Sequence, residues 1–148
     1  MNLNNLSWKY NNPHILKFTV SSEDIDILGH VNNKVYLNWC ELVSWDHSAK
    51  LGITPDVYKK YQRACVVIKS ENNFSGSLFI DDEIAISTWI TKTDKKVRLS
   101  RFFQIINIEK NQTVFTSNVD YACVSLINFK PVRMPEIYKN SYKVTCDV

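Results

Sequence analysis

The stretch Val35-Tyr36-Leu37-Asn38-Trp39-Cys40-Glu41-Leu42-Val43-Ser44-Trp45-Asp46-His47-Ser48-Ala49-Lys50-Leu51 has helical spacing and is followed by Gly52. Gly52 stands where helices often end in left-handed backbone, and Asn32 or Asn33 can cap the start. Tyr36, Trp39, Cys40 and Val43 form one apolar row, while Leu42, Trp45 and Ala49 form a second. Little of the circumference is left polar, so the pattern predicts one long helix that is mostly buried. A helix of this kind needs a large apolar partner, and the rest of the chain must supply it.

On the N-terminal side, Leu16, Phe18 and Val20 alternate with Lys17 and Thr19, which predicts a half-buried strand from His14 to Val20. Ser21 to His30 then reads as a loop, with clustered short polar residues and one Gly. On the C-terminal side, Thr54-Pro55-Asp56 predicts a capped short helix ending near Tyr61. Strand patterns follow at Ala64 to Asn72, Glu83 to Thr91, Val97 to Ile108 and Val114 to Ile127. Turn signals at Asp94-Lys95-Lys96 and Glu109-Lys110-Asn111 join the last three strands as successive hairpins, so the sheet is expected to be antiparallel. The plan is α+β, with a sheet wrapped around one long helix.

The chain has 148 residues, 45% of them hydrophobic, 12% aromatic and 22% charged, which predicts one globular domain over residues 1–148. Its net charge of +3 comes from scattered Lys and Arg, without the dense basic run of a nucleic-acid footprint. Cys40, Cys65, Cys123 and Cys146 include no C-x-x-C pair, and the three His are far apart. Neither a zinc site nor a disulfide framework is signalled, and reduced thiols suit a cytoplasm. The polar, Asn-rich start from Met1 to Pro13 does not resemble a secretory signal, and no apolar run is long enough to span a bilayer. A cytoplasmic location is therefore expected.

The densest group of potentially reactive side chains is Asp24-Ile25-Asp26-Ile27-Leu28-Gly29-His30-Val31-Asn32-Asn33, leading into Tyr36. This D-x-D-x-x-G-H-V-N-N-x-x-Y pattern after a first strand resembles the signature of the hotdog-fold thioesterases. The resemblance is to the branch that holds hydroxybenzoyl-CoA thioesterase and bacterial acyl-CoA thioesterases. It extends more weakly from about His14 to Pro135, through Leu37 to Glu41, Phe74 to Ile86 and Lys130 to Pro135. It implies a hotdog fold and hydrolysis of an acyl-CoA thioester to acid and CoA, with no metal or redox cofactor. It also implies a homodimer or tetramer with sites between subunits. A binding or assembly module without catalysis is the competing reading, and a dehydratase the third.

By the resemblance, Asp26 is the catalytic carboxylate, and the chemistry agrees. Thioester hydrolysis needs a base or nucleophile and donors for the oxyanion, whereas a CoA thiol leaves readily. The free N–H groups at a helix start stabilise developing negative charge. The backbone at His30 to Val31, or an N–H from the partner chain, is expected to serve as oxyanion donor, and Gly29 to let the backbone approach substrate. His30 is expected to orient water or hydrogen-bond the thioester, with a bond to a loop carbonyl as its alternative. Asp26 has an Asx turn or cap as its alternative, and for Asp24 that structural role is favoured.

Asn33, Tyr36 and Phe74 are candidate walls of the substrate pocket, with Asn33 also a candidate cap. Glu41 falls in a motif slot near where another hotdog branch carries its catalytic Glu, but Ser44 and Trp45 replace the usual following residues, which favours a structural role. A metal site at Asp24, Asp26 and His30 lacks a fourth ligand. Trp39, Trp45, Phe102 and Phe103 read as core. Leu28 departs from the Asn of the plant acyl-carrier-protein enzymes, and Ser75-Gly76-Ser77 departs from the usual Arg-Pro passage after the aromatic. Arg98, Arg101, Lys130 and Arg133 are the candidates for the CoA phosphates.

Overall fold

The computed structural model describes residues 2–148. Strand β1 (His14–Thr19) leads through the motif loop into helix α1 (Asn33–Lys50), and a short helix α2 (Pro55–Tyr61) follows. Four strands come next: β2 (Arg63–Phe74), β3 (Glu83–Thr93), β4 (Arg98–Asn107) and β5 (Gln112–Ser125). A last helix, α3 (Glu136–Ser141), follows the sheet. The strands form one antiparallel sheet in the order β1-β3-β4-β5-β2. This is the expected α+β plan, a sheet curved around one long helix, and it is a hotdog fold.

Asn32 rather than Asn33 caps α1, its side-chain oxygen accepting from the Lys34 N–H at 3.0 Å. Gly52 takes the expected left-handed backbone at φ 88°. Thr54 caps α2 by accepting from the Val57 N–H, with Pro55 in the first turn. Tyr36, Trp39, Cys40 and Val43 pack against Ile84, Ile86, Phe103, Ile105, Phe115 and Val119 of the sheet, which makes the main core. The second apolar row of α1 is not buried as expected: Leu42 is 52% exposed and Trp45 37%. The helix covers the sheet with one face, and of the opposite row Trp45 meets only Tyr58 of α2, edge-on at 5.6 Å between ring centroids, while Leu42 stays exposed. Trp45 consequently lies outside the core to which Trp39, Phe102 and Phe103 belong.

The Asn-rich start carries more structure than its polarity suggests. Leu6 and its neighbours Leu3 and Trp8 join Ala85, Ile106 and Ile108 in a separate cluster. Trp8 and Tyr10 both meet Trp89 edge-on, and Trp89 donates its indole N–H to the Asn11 carbonyl. The N-terminal segment thus covers the face of the sheet that α1 does not. With both faces covered, every residue of β4 from Arg101 to Asn107 is buried and period-two alternation disappears.

Helix α3 is the element the sequence pattern missed, because six residues are too few to show a period. It brings Tyr138 onto Ile53, Tyr58, Ala64 and Cys123, and its C-terminal neighbour Tyr142 joins the same cluster. The four cysteines are free thiols. No helix among the described residues is long and apolar enough to cross a membrane.

Two edges of the sheet are unpaired, and they differ. Strand β1 is short, whereas β2 runs for 12 residues and is exposed along most of its length. A bulge interrupts its register with β5 between Val67 and Lys69, and Val66, Val67 and Ile68 are all exposed. Such an apolar edge is a template for pairing with another strand.

Candidate active site

The motif loop is a closed turn. Ile25 and Val31 pair as an isolated bridge, the Asp26 N–H donates to the His30 carbonyl at 3.0 Å, and the Gly29 N–H donates to the Asp26 carbonyl at 3.1 Å. Gly29 has φ 85°, a left-handed conformation that a side chain resists, so its freedom is used in the turn itself. The Asp26 side chain is half-buried and accepts the Leu28 N–H on Oδ1 at 2.8 Å, an Asx turn. Its Oδ2 makes no hydrogen bond within the described residues. The structural alternative for Asp26 is therefore realised by one oxygen, and the other is free for chemistry.

Asp24 is likewise engaged through one oxygen, but in a different turn. Its Oδ2 accepts both the Ser21 N–H at 2.9 Å and the Ser21 hydroxyl at 3.2 Å, so it staples the turn before the loop. No metal-holding group of His, Cys, Asp or Glu forms among the described residues.

Beyond the loop lies a recess of about 330 Å³ lined by His30, Val31, Asn33, Tyr36, Phe74, Ser75, Gly76 and Ser77. The structure therefore brings together five expected residues from three elements, and Asp26 stands one backbone hydrogen bond behind His30. Because Asn32 takes the capping role, the Asn33 side chain is released toward the recess. Tyr36 is packed edge-on against Phe74 and donates its hydroxyl to the Gly76 carbonyl at 3.5 Å. Burial raises the Tyr36 pKa, which suits a wall and not an acid. Gly76 fits closely: a Cβ there would meet Val114 Cγ1 at 3.0 Å.

One expected oxyanion donor is lost. The Val31 N–H donates to the Leu78 carbonyl at 2.9 Å, because the residue is a strand-like anchor in the core. The N–H groups of His30 and Asn33 have no acceptor among the described residues, and Asn33 opens α1, where the helix dipole adds to its N–H.

The expected phosphate group does not assemble around this recess. Phe74 of β2 pairs with Phe115 beside the recess, whereas Arg63 at the other end of β2 pairs with Ser125. The two ends lie about 36 Å apart at ~3.3 Å per residue. Arg98, Lys130 and Arg133 are exposed at the Arg63 end, where Arg63 Nη1 donates to the Arg133 carbonyl at 2.8 Å. Arg101 is not a surface cation at all. It is 2% exposed on the inner face of β4, with its guanidinium held by His47, Ser48 and Thr88, and is withdrawn from the phosphate set. Strand alternation, invisible in an unbroken buried run, decides that difference.

The sequence profile of the Thioesterase-like superfamily matches residues 20–140. The chain belongs to this superfamily. Comparison with curated protein sequences finds no match. Among solved structures, the chain is similar to a DHNA-CoA thioesterase from Staphylococcus aureus, with TM-score 0.74 and 24% identity over 82% of this chain and 80% of that one. It is also similar to a 1,4-dihydroxy-2-naphthoyl-CoA thioesterase from Synechocystis, with TM-score 0.79 and 15% identity over 88% and 96%. A third similar structure, a hypothetical protein from Staphylococcus aureus in complex with CoA, has TM-score 0.81 and 18% identity over 88% and 81%. In this superfamily member the matched span holds the motif loop, α1 and the whole sheet except β1.

Proposed function

We propose that this member of the Thioesterase-like superfamily is an acyl-CoA thioesterase, with Asp26 as base or nucleophile and no metal or redox cofactor. The observation that carries the reading is the half-free Asp26 carboxylate, held by its own Asx turn in the loop whose His30, one backbone hydrogen bond away, lines the recess at the start of α1. As a base, Asp26 takes a proton from water, whose oxygen adds to the thioester carbonyl; the C–S bond then breaks, and the CoA thiolate collects the proton. As a nucleophile, its oxygen attacks directly, CoA leaves, and water opens the resulting anhydride. In either case the His30 and Asn33 N–H groups receive the developing oxyanion, and the His30 ring orients water or the thioester. Gly29 and Val31 shape the loop, while Asn33, Tyr36 and Phe74 contact the acyl end.

The test is release of CoA, followed with a thiol reagent, across a panel of aliphatic and aromatic acyl-CoAs. Turnover of at least one class supports the proposal. Binding of acyl ligands with no release from any of them replaces it by a noncatalytic module.

The same reading makes the functional unit a homodimer. A β2 edge pairing antiparallel with its copy would cover the exposed Val66, Val67 and Ile68 and place the Arg63 end of each strand near Phe74 of the other. The cations that lie far from the recess within one chain would then reach the partner's site. Light scattering is expected to give at least a dimer, and Val67→Lys, which puts a charge on the edge, is expected to shift it to monomer with activity falling at least tenfold. A monomeric unmodified chain with full turnover overturns this arrangement.

The phosphate assignment, now Arg98, Lys130 and Arg133, predicts that neutralising them raises KM for an acyl-CoA and leaves kcat nearly unchanged. Steady-state kinetics of the triple Gln variant check it. A change of less than about twofold, ~0.4 kcal/mol, removes these residues from CoA binding.

A further inference from the structure

Beneath the C-terminal half of α1 is a second cavity of about 280 Å³, and its floor is a buried, unpaired cation. Its lining includes Trp45, Ser48, Tyr58, Arg101, Tyr121 and Tyr142. Ser48 lies fifteen residues after the start of α1 at Asn33, about 22 Å along the helix at ~1.5 Å per residue. The cavity is therefore separate from the recess beside the motif loop in the same chain.

Arg101 is only 2% exposed. Its guanidinium donates to His47 Nδ1 at 2.8 Å, to Ser48 Oγ at 3.1 Å and to Thr88 Oγ1 at 3.4 Å. All three partners are neutral. Burial, with the added repulsion of Arg101, His14 and Lys50, lowers the His47 pKa to about 3, so the ring cannot become a cation beside Arg101 at neutral pH. It supplies no negative charge either. No carboxylate lies within ion-pair distance of Arg101 among the described residues. Glu41 is exposed at the rim, and its carboxylate is engaged by the Trp45 indole N–H at 3.2 Å.

A buried charge without a counter-charge is costly, and proteins normally pair it. Here the guanidinium sits at the bottom of an open cavity with four aromatic walls, Trp45, Tyr58, Tyr121 and Tyr142, and with Val66 and Val67 of the β2 edge along one side. Tyr142 lies 5.8 Å from the guanidinium carbon and is tied by its hydroxyl to Ser48 at 3.1 Å and Tyr58 at 2.8 Å, so floor and wall form one hydrogen-bonded unit. We propose that this cavity is a binding site for a small single-ring carboxylate, whose anion pairs with Arg101 and whose ring packs among Trp45, Tyr58, Tyr121 and Tyr142. The size agrees: a cavity of ~150 Å³ already holds benzene, and a carboxyl group needs little more. Planar, bidentate pairing of carboxylate with guanidinium gives the site its selectivity over neutral rings.

Binding is measured without hydrolysis, so this proposal stands or falls apart from the thioesterase reading. The unmodified protein, in its solution assembly, is titrated by calorimetry and by tryptophan fluorescence with benzoate, benzamide and inorganic phosphate. Benzoate is expected to saturate at least tenfold more tightly than either of the others. Arg101→Gln is expected to bring benzoate down to the level of benzamide, and Trp45→Phe to remove the fluorescence change while calorimetric binding persists. Equal binding of benzoate and benzamide, or no saturation by benzoate, overturns the proposal. Phosphate binding as tightly as benzoate overturns it in favour of a bare anion hole, and so does an Arg101→Gln variant that keeps full benzoate affinity. Should that variant fail to fold, the ligand comparison on the unmodified protein and Trp45→Phe decide.

Discussion

Replacing Asp26 by Asn is expected to lower kcat by ~10²-fold or more, a loss of ~2.7 kcal/mol of transition-state stabilisation. The reason lies in how its two oxygens are divided. Oδ1 accepts the Leu28 N–H at 2.8 Å and builds the turn, and an Asn oxygen can do the same. Oδ2 is the oxygen to which the proposal assigns the chemistry, and an amide nitrogen in its place can neither take a proton from water nor attack a thioester. Folding and acyl-ligand binding should survive. Asp24→Asn is the control: Asp24 is engaged with Ser21, so its effect on kcat should be several-fold at most. Near-normal turnover by Asp26→Asn would remove Asp26 from the reaction.

Replacing Phe115 by Ala is expected to cost roughly 3–5 kcal/mol of folding stability, because the ring is fully buried and truncation leaves a cavity. That is a large part of the ~5–15 kcal/mol that holds a typical domain together. The ring centroid of Phe115 is 5.4 Å from that of Tyr36 and 5.0 Å from that of Phe74, so the loss propagates into the recess wall. Urea denaturation should show a reduced midpoint with an unchanged slope. Phe74→Ala tests the same wall from its exposed side. Phe74 is 45% exposed, so its removal should cost far less stability and act mainly on KM. Equal destabilisation by the two changes would mean that Phe115 is not the buried support of the recess.

Local chemistry determined a good deal of this protein from the sequence. The cap, apolar row and closing Gly of α1 are short-range patterns, and so are the Thr54-Pro55 start of α2 and the turns that join β3, β4 and β5. The motif loop was also legible, because a tight turn with Gly29 and an Asx bond at Asp26 needs those residue types within a few positions. The resemblance carried by that loop led to the fold and to the residues that line the recess.

What only the tertiary structure decided depends on pairing across distance. Nothing in β2 says that it lies against β5 at the sheet edge, yet that pairing puts Arg98, Lys130 and Arg133 at the far end of the sheet from Phe74. An unbroken buried run in β4 conceals which residues face α1, so Arg101 read as a surface cation until alternation turned it inward. The exposed second row of α1 has the same origin. Helical spacing shows that Leu42 and Trp45 are apolar and adjacent, but which apolar face meets the sheet is set by the curvature of five paired strands. That curvature comes from long-range hydrogen bonding and packing, and no segment of the chain encodes it alone.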